Sequence, residues 1–228
     1  MSAETQFTCV LFDVDGTLVD SAPAVIHCFN TVLSKRGVTT PPADAMRKYV
    51  GPPLWWSFAD LGFEGEIAKE LVDEYRGLYR TIFLEPPLFP RMDEVVRGAH
   101  NAGIPMATAT SKQEPLALAQ MEHLGILDAF DVIAGATPGP GSSKATVIAD
   151  ALSRLSAKGM DISRPVLIGD SCWDVEGGQQ AGIDVMGVSW GYAKDGDLDE
   201  CIAIAHTPEE LARLLGFTLS EPFSSSVQ

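Results

Sequence analysis

Cysteines in metal-binding or redox spacing are missing from this chain. Its four cysteines, Cys9, Cys28, Cys172 and Cys201, stand far apart and form no C-x-x-C pair. That argues against a zinc site and against a disulfide framework. Basic charge is scarce: 31 acidic residues face 16 basic ones, for a formal charge of -15. A surface of that sign repels polyanions, which argues against nucleic acid or an anionic membrane face as the main partner. A small anion is not excluded, because a metal ion or a few local cations reverse the field at one site. His27, His100, His123 and His206 share no metal-like spacing and read as structural or surface residues. Long apolar runs are absent too, and none approaches the ~20 residues that cross a bilayer. The opening MSAETQFTCV has neither the basic stretch nor the apolar run of an export signal. A soluble, cytoplasmic protein is the resulting expectation.

What is present suffices for a sizeable core: 46% of 228 residues are hydrophobic. Short, nearly unbroken apolar segments occur at 8–12, 104–109, 130–135, 165–169 and 183–188, each bounded by Gly, Pro, Asp or Ser. Such runs suit strands buried on both faces of a parallel sheet. Helical patterns lie between most of them and stop at Gly103, Gly125 and Gly159. Strand and helix in alternation imply an α/β fold with a doubly wound, Rossmann-like parallel sheet. Residues 20–85 interrupt that rhythm. Val25, Ile26, Phe29, Val32 and Leu33 recur at helical spacing, as do Ile67, Leu71, Tyr75, Leu78, Tyr79 and Ile82, with Pro52 and Pro53 between the two sets. An all-helical insert over 20–85 is expected, with 1–19 and 86–228 forming the α/β unit. One of Trp55 and Trp56 is expected in the core of the insert. The tail SEPFSSSVQ is expected to fray.

In open α/β sheets, ligands bind beyond the carboxyl ends of the strands. The polar residues after each expected strand are therefore the candidates. Asp13, Asp15 and Thr17 follow the first, and Thr110, Ser111 and Lys112 the second. Asp170 and Asp174 follow the segment 165–169, and Lys144 opens a helix after the Gly-rich GATPGPGSS. Asp13, Asp15 and Asp170 together would repel one another strongly unless a hard cation sits among them. An oxygen-only ligand set suits magnesium, which commonly meets a phosphate. Thr110 and Lys144 offer the hydroxyl and cation that a phosphate needs, with Ser111 beside them, and Gly16 lets backbone N–H groups face the anion. With a phosphate in place, one aspartate of the pair can attack phosphorus. The other can protonate the leaving group and then activate water.

These residues resemble a known set. DVDGT (13–17), a threonine in ATATSK, a lysine in GSSKATVI and GDSCWD (169–174) resemble the four motifs of haloacid dehalogenase-like hydrolases, in order and over essentially the whole chain. DVDGTLVDSAP followed by a helical insert is similar to the phosphoglycolate phosphatase-like branch, in which the insert is a mobile cap. The resemblance implies Asp13 as nucleophile and Asp15 as general acid/base. It implies Thr110 and Lys144 at the phosphate, and magnesium held by Asp13, Asp170 and the backbone carbonyl of Asp15. Asp174 would bind the metal through water or orient Lys144. Gly51 and Pro52, between the insert's helices, are candidate specificity residues. Where many members carry Lys-Pro, this chain has Lys144-Ala145, and no arginine lies between Gly135 and Lys144.

A magnesium-dependent phosphatase acting on a small phosphorylated metabolite is the leading expectation. A phosphoryl mutase on a sugar phosphate and a non-enzymatic phospho-receiver are the alternatives. The closeness of Asp15 to Asp13 and the long insert argue against a receiver, and Asp15 argues against a halide-releasing dehalogenase. The substrate stays open among phosphoglycolate, a nucleoside monophosphate, pyrophosphate and a sugar phosphate, as does the choice between monomer and dimer.

Overall fold

The computed structural model describes residues 7–137 and 142–220. In chain order the elements are β1 (Cys9–Phe12), α1 (Ala22–Ser34), α2 (Ala43–Met46), a 3-10 turn (Arg47–Tyr49), α3 (Leu54–Asp60), α4 (Gly65–Ile82), α5 (Met92–Asn101), β2 (Met106–Thr108), β3 (Thr110–Gln113), α6 (Glu114–His123), a second 3-10 turn (Leu127–Ala129), β4 (Gly135–Ala136), α7 (Lys144–Ala157), β5 (Pro165–Gly169), α8 (Cys172–Ala181), β6 (Asp184–Val188), β7 (Ala203–Ala205) and α9 (Pro208–Leu214). No helix among the described residues is long and apolar enough to cross a membrane. Part of the Gly-rich loop (138–141) and most of the tail (221–228) lie outside the described residues.

Five strands pair in parallel in the order β2-β1-β5-β6-β7. Successive side chains of a strand point to opposite faces, and here each face has its own helices. Val10, Phe12, Val166 and Ile168 pack with Met92, Val95 and Leu211 of α5 and α9. Cys9, Leu11 and Leu167 pack with Val147, Ile148 and Val175 of α7 and α8. Burial on both sides is why these strands read as unbroken apolar runs. The doubly wound α/β reading therefore stands. α5, α6 and α7 each end two residues before the glycine taken as their stop.

Two details differ from expectation. The segment 130–135 does not form a regular strand. It lies along β2, with the N–H groups of Asp131 and Val132 donating to Met106 O and the Thr108 N–H to Val132 O, but side chains supply part of the ladder. The Met106 N–H donates to Asp131 Oδ2 at 2.9 Å, and Thr108 Oγ1 both donates to Ala134 O and accepts from Ala134 N at 2.9 Å. Gly135–Ala136 pairs with β3 in a separate two-stranded sheet whose register shifts between Thr110 and Gln113. The second difference is β7, three residues at the sheet edge that are too short to show a pattern in sequence.

The helices between Ala22 and Ile82 enclose an apolar cluster of their own. Phe29 of α1 lies at its centre, with ring centroids 5.5 Å from Tyr49, 5.1 Å from Phe58 and 4.9 Å from Tyr75. Arg36 ties the end of α1 to α4 through Glu74 at 2.8 Å and Glu70 at 3.0 Å. Pro23 in the first turn of α1 presets its geometry. The expectation that one tryptophan is core is corrected: Trp55 and Trp56 are 37% and 39% exposed. α3 is only two turns long and turns Ser57 and Phe58 inward, leaving both indoles at its outer edge. Trp56 instead meets Trp173 of α8 edge-on, at 5.1 Å between centroids.

Removing the Phe29 ring leaves a void between three aromatic side chains. Phe29→Ala is expected to lower stability by about 3–5 kcal/mol, read from the midpoint of denaturant unfolding.

Candidate active site

A parallel sheet aligns the carboxyl ends of its strands along one edge. Asp13 follows β1 directly, and its N–H donates to Ile168 O at 2.9 Å, extending the β1–β5 ladder by one bond. Asp170 follows β5, and Asp174 stands in the first turn of α8. Ligand oxygens of Asp13, Asp170 and Asp174 lie within 4.8 Å of one another, and all three residues are buried. Lys144, the first residue of α7, enters this cluster. Its Nζ lies 2.8 Å from Asp13 Oδ1 and 2.7 Å from Asp174 Oδ1, and donates to Ala109 O at 2.9 Å. A capping box sets the lysine's start point: Ser143 Oγ accepts from the Thr146 N–H at 3.2 Å and the Ser143 N–H donates to Thr146 Oγ1 at 2.9 Å.

Fully ionised, three carboxylates against one ammonium would leave this buried cluster with two excess negative charges. Burial dominates the consequences. It pushes Asp13 up to about 6, with Lys144 opposing and Asp174 reinforcing the shift. Burial likewise raises Asp170 well above the usual carboxylate range, aided by Asp174 and Asp13. For Lys144 burial works downward, yet Asp13 and Asp174 outweigh it and keep the ammonium charged. A divalent cation would restore the balance, and a buried all-oxygen donor set fits magnesium. Within the set, Asp174 is already engaged. Its Oδ2 accepts from the N–H groups of Asp170 and Ser171, both at 3.1 Å, and from Ser171 Oγ at 2.7 Å. Asp13 and Asp170 carry fewer contacts than Asp174 and are the better placed carboxylates for a cation.

Asp170 is wedged in place. Thr17 Oγ1 donates to its Oδ1 at 3.2 Å and the Tyr192 N–H to its Oδ2 at 2.8 Å. Gly16 and Gly191 close in on either side. A Cβ at Gly16 would lie 2.3 Å from Asp170 Oδ2, and one at Gly191 2.4 Å from the same atom and 2.5 Å from Gly16 O. Gly16 also has φ 95°, a conformation that glycine adopts without strain. The N–H of Gly16 itself donates to Val19 O at 2.9 Å.

Asp15 belongs to a second charged group. Lys112 Nζ donates to Asp15 Oδ1 at 2.8 Å and also to Gln120 Oε1, and Gln120 Nε2 donates to Phe83 O at 2.8 Å. The same ammonium lies 5.5 Å from the centroid of the Tyr79 ring. Thr110 Oγ1 is buried beside this group and accepts from the Lys112 N–H at 3.2 Å. Asp15, Ser111, Lys112, Gly51 and Pro52 line one cavity of about 150 Å³ between the helical insert and the sheet edge. The structure thus gathers the expected residues into two adjoining groups, Asp13/Asp170/Asp174/Lys144 and Asp15/Thr110/Ser111, with Gly51 and Pro52 facing the second. Lys112 is among the candidates after the second expected strand but is given no role there, and Gln120 and Tyr192 are not singled out. Strand alternation offered a signal for Lys112, two residues beyond Thr110 on the same face. Nothing comparable marked Gln120 or Tyr192.

Comparison with known proteins agrees with this geometry. Residues 10–188 match the family model described as haloacid dehalogenase-like hydrolase. The chain is 37% identical over 213 residues to the tyrosine-protein kinase PtkA of Mycobacterium tuberculosis, covering 91% of this chain and 72% of that one. It is 31% identical over 193 residues to a phosphoglycolate phosphatase of Caulobacter vibrioides, covering 82% and 81%. Among solved structures, a haloacid dehalogenase-like family hydrolase from Streptococcus pneumoniae superposes with a TM-score of 0.81 at 31% identity, covering 90% of this chain and 96% of that one.

Two outcomes are expected. Asp13 and Asp170 hold protons in the folded chain that the unfolded chain has already released. Without metal, stability therefore falls as pH rises from the ordinary 3.8 through about 6. Magnesium at a hundredfold excess over its Kd adds about 2.7 kcal/mol. The melting temperature should then rise on the order of 5–10 °C at pH 7.5, by less at pH 5, and hardly at all in Asp170→Asn. Gly191→Ala, which drives a methyl group into Asp170, should lower the same magnesium-induced rise, as scanning calorimetry would record.

Proposed function

The chain belongs to the haloacid dehalogenase-like hydrolases, and on that footing we propose that it is a magnesium-dependent phosphatase. Its substrate would be a small phosphorylated metabolite, a phosphoglycolate-like phosphomonoester, hydrolysed through an aspartyl-phosphate on Asp13. One observation carries this reading: two aspartates two residues apart are held by different lysines, Asp13 by Lys144 and Asp15 by Lys112. Equivalent carboxylates have no need of separate partners, whereas a nucleophile and a proton carrier do.

Lys144, gripped by Asp174 and Ala109 O, fixes Asp13 through Oδ1. A carboxylate oxygen of Asp13 bonds to phosphorus as the bond to the leaving oxygen breaks, and Asp15 supplies the proton that this oxygen takes. Asp15 then removes a proton from water, which attacks phosphorus, breaks the bond to Asp13 and releases phosphate. Lys112 occupies Asp15 Oδ1, while Oδ2 accepts no hydrogen bond among the described residues and serves for the proton. Thr110 and Ser111 flank the transferred group from the start of β3. Magnesium held by Asp13, Asp170 and the backbone carbonyl of Asp15 would offset the negative charge of the carboxylates and the phosphoryl oxygens. The insert over 20–85 acts as a cap that excludes water, with Gly51 and Pro52 facing the leaving group.

The identity to a tyrosine-protein kinase supports a second reading, phosphoryl transfer from a nucleotide to a tyrosine. The cavity of about 150 Å³ favours the first, since sites for larger ligands usually measure roughly 300–1,000 Å³.

Phosphate release from a panel of monoesters separates these readings. Release is expected with magnesium, absent with EDTA, and lowered on the order of a thousandfold or more in Asp13→Asn. Lys112→Met should lower kcat on the order of tenfold to a hundredfold through loss of Asp15 placement. Activity indifferent to chelation or to Asp13→Asn would refute the phosphatase reading. Labelling of a tyrosine substrate by ATP without monoester hydrolysis would establish the kinase reading in its place.

A further inference from the structure

The arginines of this chain are almost all spoken for. Arg36, Arg47, Arg91, Arg97, Arg154 and Arg213 each have a carboxylate partner, and Arg164 is also engaged. Arg76 and Arg80 form no ion pair among the described residues. In a chain with 31 acidic residues against 16 basic ones, partners are abundant, so two arginines left without one call for a reason. They stand one turn apart on α4 and so share a face of that helix. Both line the cavity that contains Asp15, Ser111 and Lys112.

Between them on the same helix stands Tyr79, which also lines the cavity. Its residue is 7% exposed, and its hydroxyl is buried with no hydrogen-bond partner among the described residues. A buried hydroxyl left unpaired is unfavourable and uncommon in native structures. A ligand in the cavity would supply what it lacks. The remaining wall is largely aromatic and apolar, with Tyr49, Trp55, Tyr75 and Pro53. A cavity of about 150 Å³ is the size that admits a benzene ring.

We propose that this cavity receives a ring-sized leaving group bearing a second anion, a carboxylate or a phosphate, which Arg76 and Arg80 bind while the Tyr79 hydroxyl hydrogen-bonds to the same substrate. The phosphoryl group lies at Asp13, the ring rests against the tyrosines and Trp55, and the second anion meets the arginines. Such a substrate presupposes phosphatase chemistry at Asp13, and it replaces the phosphoglycolate-like leaving group with a ring-bearing one. A two-carbon acid fills little of the space, and a neutral ring leaves the guanidinium groups unpaired. Arginine suits this task because its planar fork matches the oxygens of either anion.

Matched esters test this inference. Phenyl phosphate is compared with 4-carboxyphenyl phosphate and 4-phosphonophenyl phosphate, and phosphoglycolate serves as the ringless anion. In the wild-type protein with magnesium, kcat/KM is expected to be at least tenfold higher for the anionic aryl esters than for phenyl phosphate. It should also exceed that for phosphoglycolate. In the double variant R76M/R80M the ratio of anionic to neutral aryl ester should fall toward one, and in R76E/R80E it should invert. Using the ratio within each variant cancels losses of fold or of leaving-group chemistry. Tyr79→Phe should raise KM for all aryl esters more than it lowers kcat.

The two anionic aryl esters distinguish a carboxylate from a phosphate as the preferred second anion. Equal kcat/KM for the neutral and anionic rings in the wild type, or a ratio unchanged in R76M/R80M, would overturn the second-anion site and leave the phosphatase reading intact. Phosphoglycolate outperforming both anionic rings would overturn the ring-sized leaving group. Hydrolysis of none of the esters would remove the phosphatase reading, and this inference with it.

Discussion

The contact on which this architecture depends is the Lys144 ammonium between Asp13 and Asp174. An ammonium and two carboxylates taken out of water are costly, and only close mutual contact offsets that cost. Deleting any member strands the others, so the three residues stand or fall together. Their anchors are spread along the chain: Asp13 after β1, Lys144 at the head of α7, Asp174 in the first turn of α8. Each anchor is itself fixed by a short-range device. The Asp13 N–H extends the β1–β5 ladder, and capping boxes start both helices. Rigid local structure thus delivers the charges to one point, where they constrain the whole.

Around that contact the site divides its labour. The cluster beneath carries an excess of negative charge suited to a cation, and Asp170 is held between two glycines that leave no space for it to move. The neighbouring group around Asp15 is bonded outward. Through Lys112 and Gln120 it reaches the backbone of Phe83, at the end of the helical insert. Asp13 and Asp15 are therefore tied to different parts of the molecule, one to the sheet and the other to the insert.

Much of this is legible in the amino-acid sequence. Parallel strands buried on both faces leave continuous apolar runs, and motif residues stand immediately after those runs, so Asp13, Asp15 and Asp170 could be located by position alone. The helices of the insert declared themselves by periodicity because each buries one stripe. Legibility failed where side chains replace backbone or where contacts join distant segments. At 130–135, Thr108 and Asp131 substitute for ladder bonds, and no run of apolar letters reveals that. Trp55 and Trp56 are bulky and apolar, yet α3 is too short to bury either. Gln120 serves the site from the middle of a helix, and only the fold brings it to Lys112.

The position of β1 has a consequence for how the chain is made. This strand is neither an edge nor a nucleus complete in itself: it lies between β2 and β5. Its ladder on one side needs residues 106–108, and on the other residues 165–169. During synthesis, Asp15 cannot meet Lys112 until 97 further residues are made, nor Asp13 meet Lys144 until 131 are. Closure of this rim therefore belongs to the last stage of assembly, after the helical insert has emerged with everything needed for its own interior.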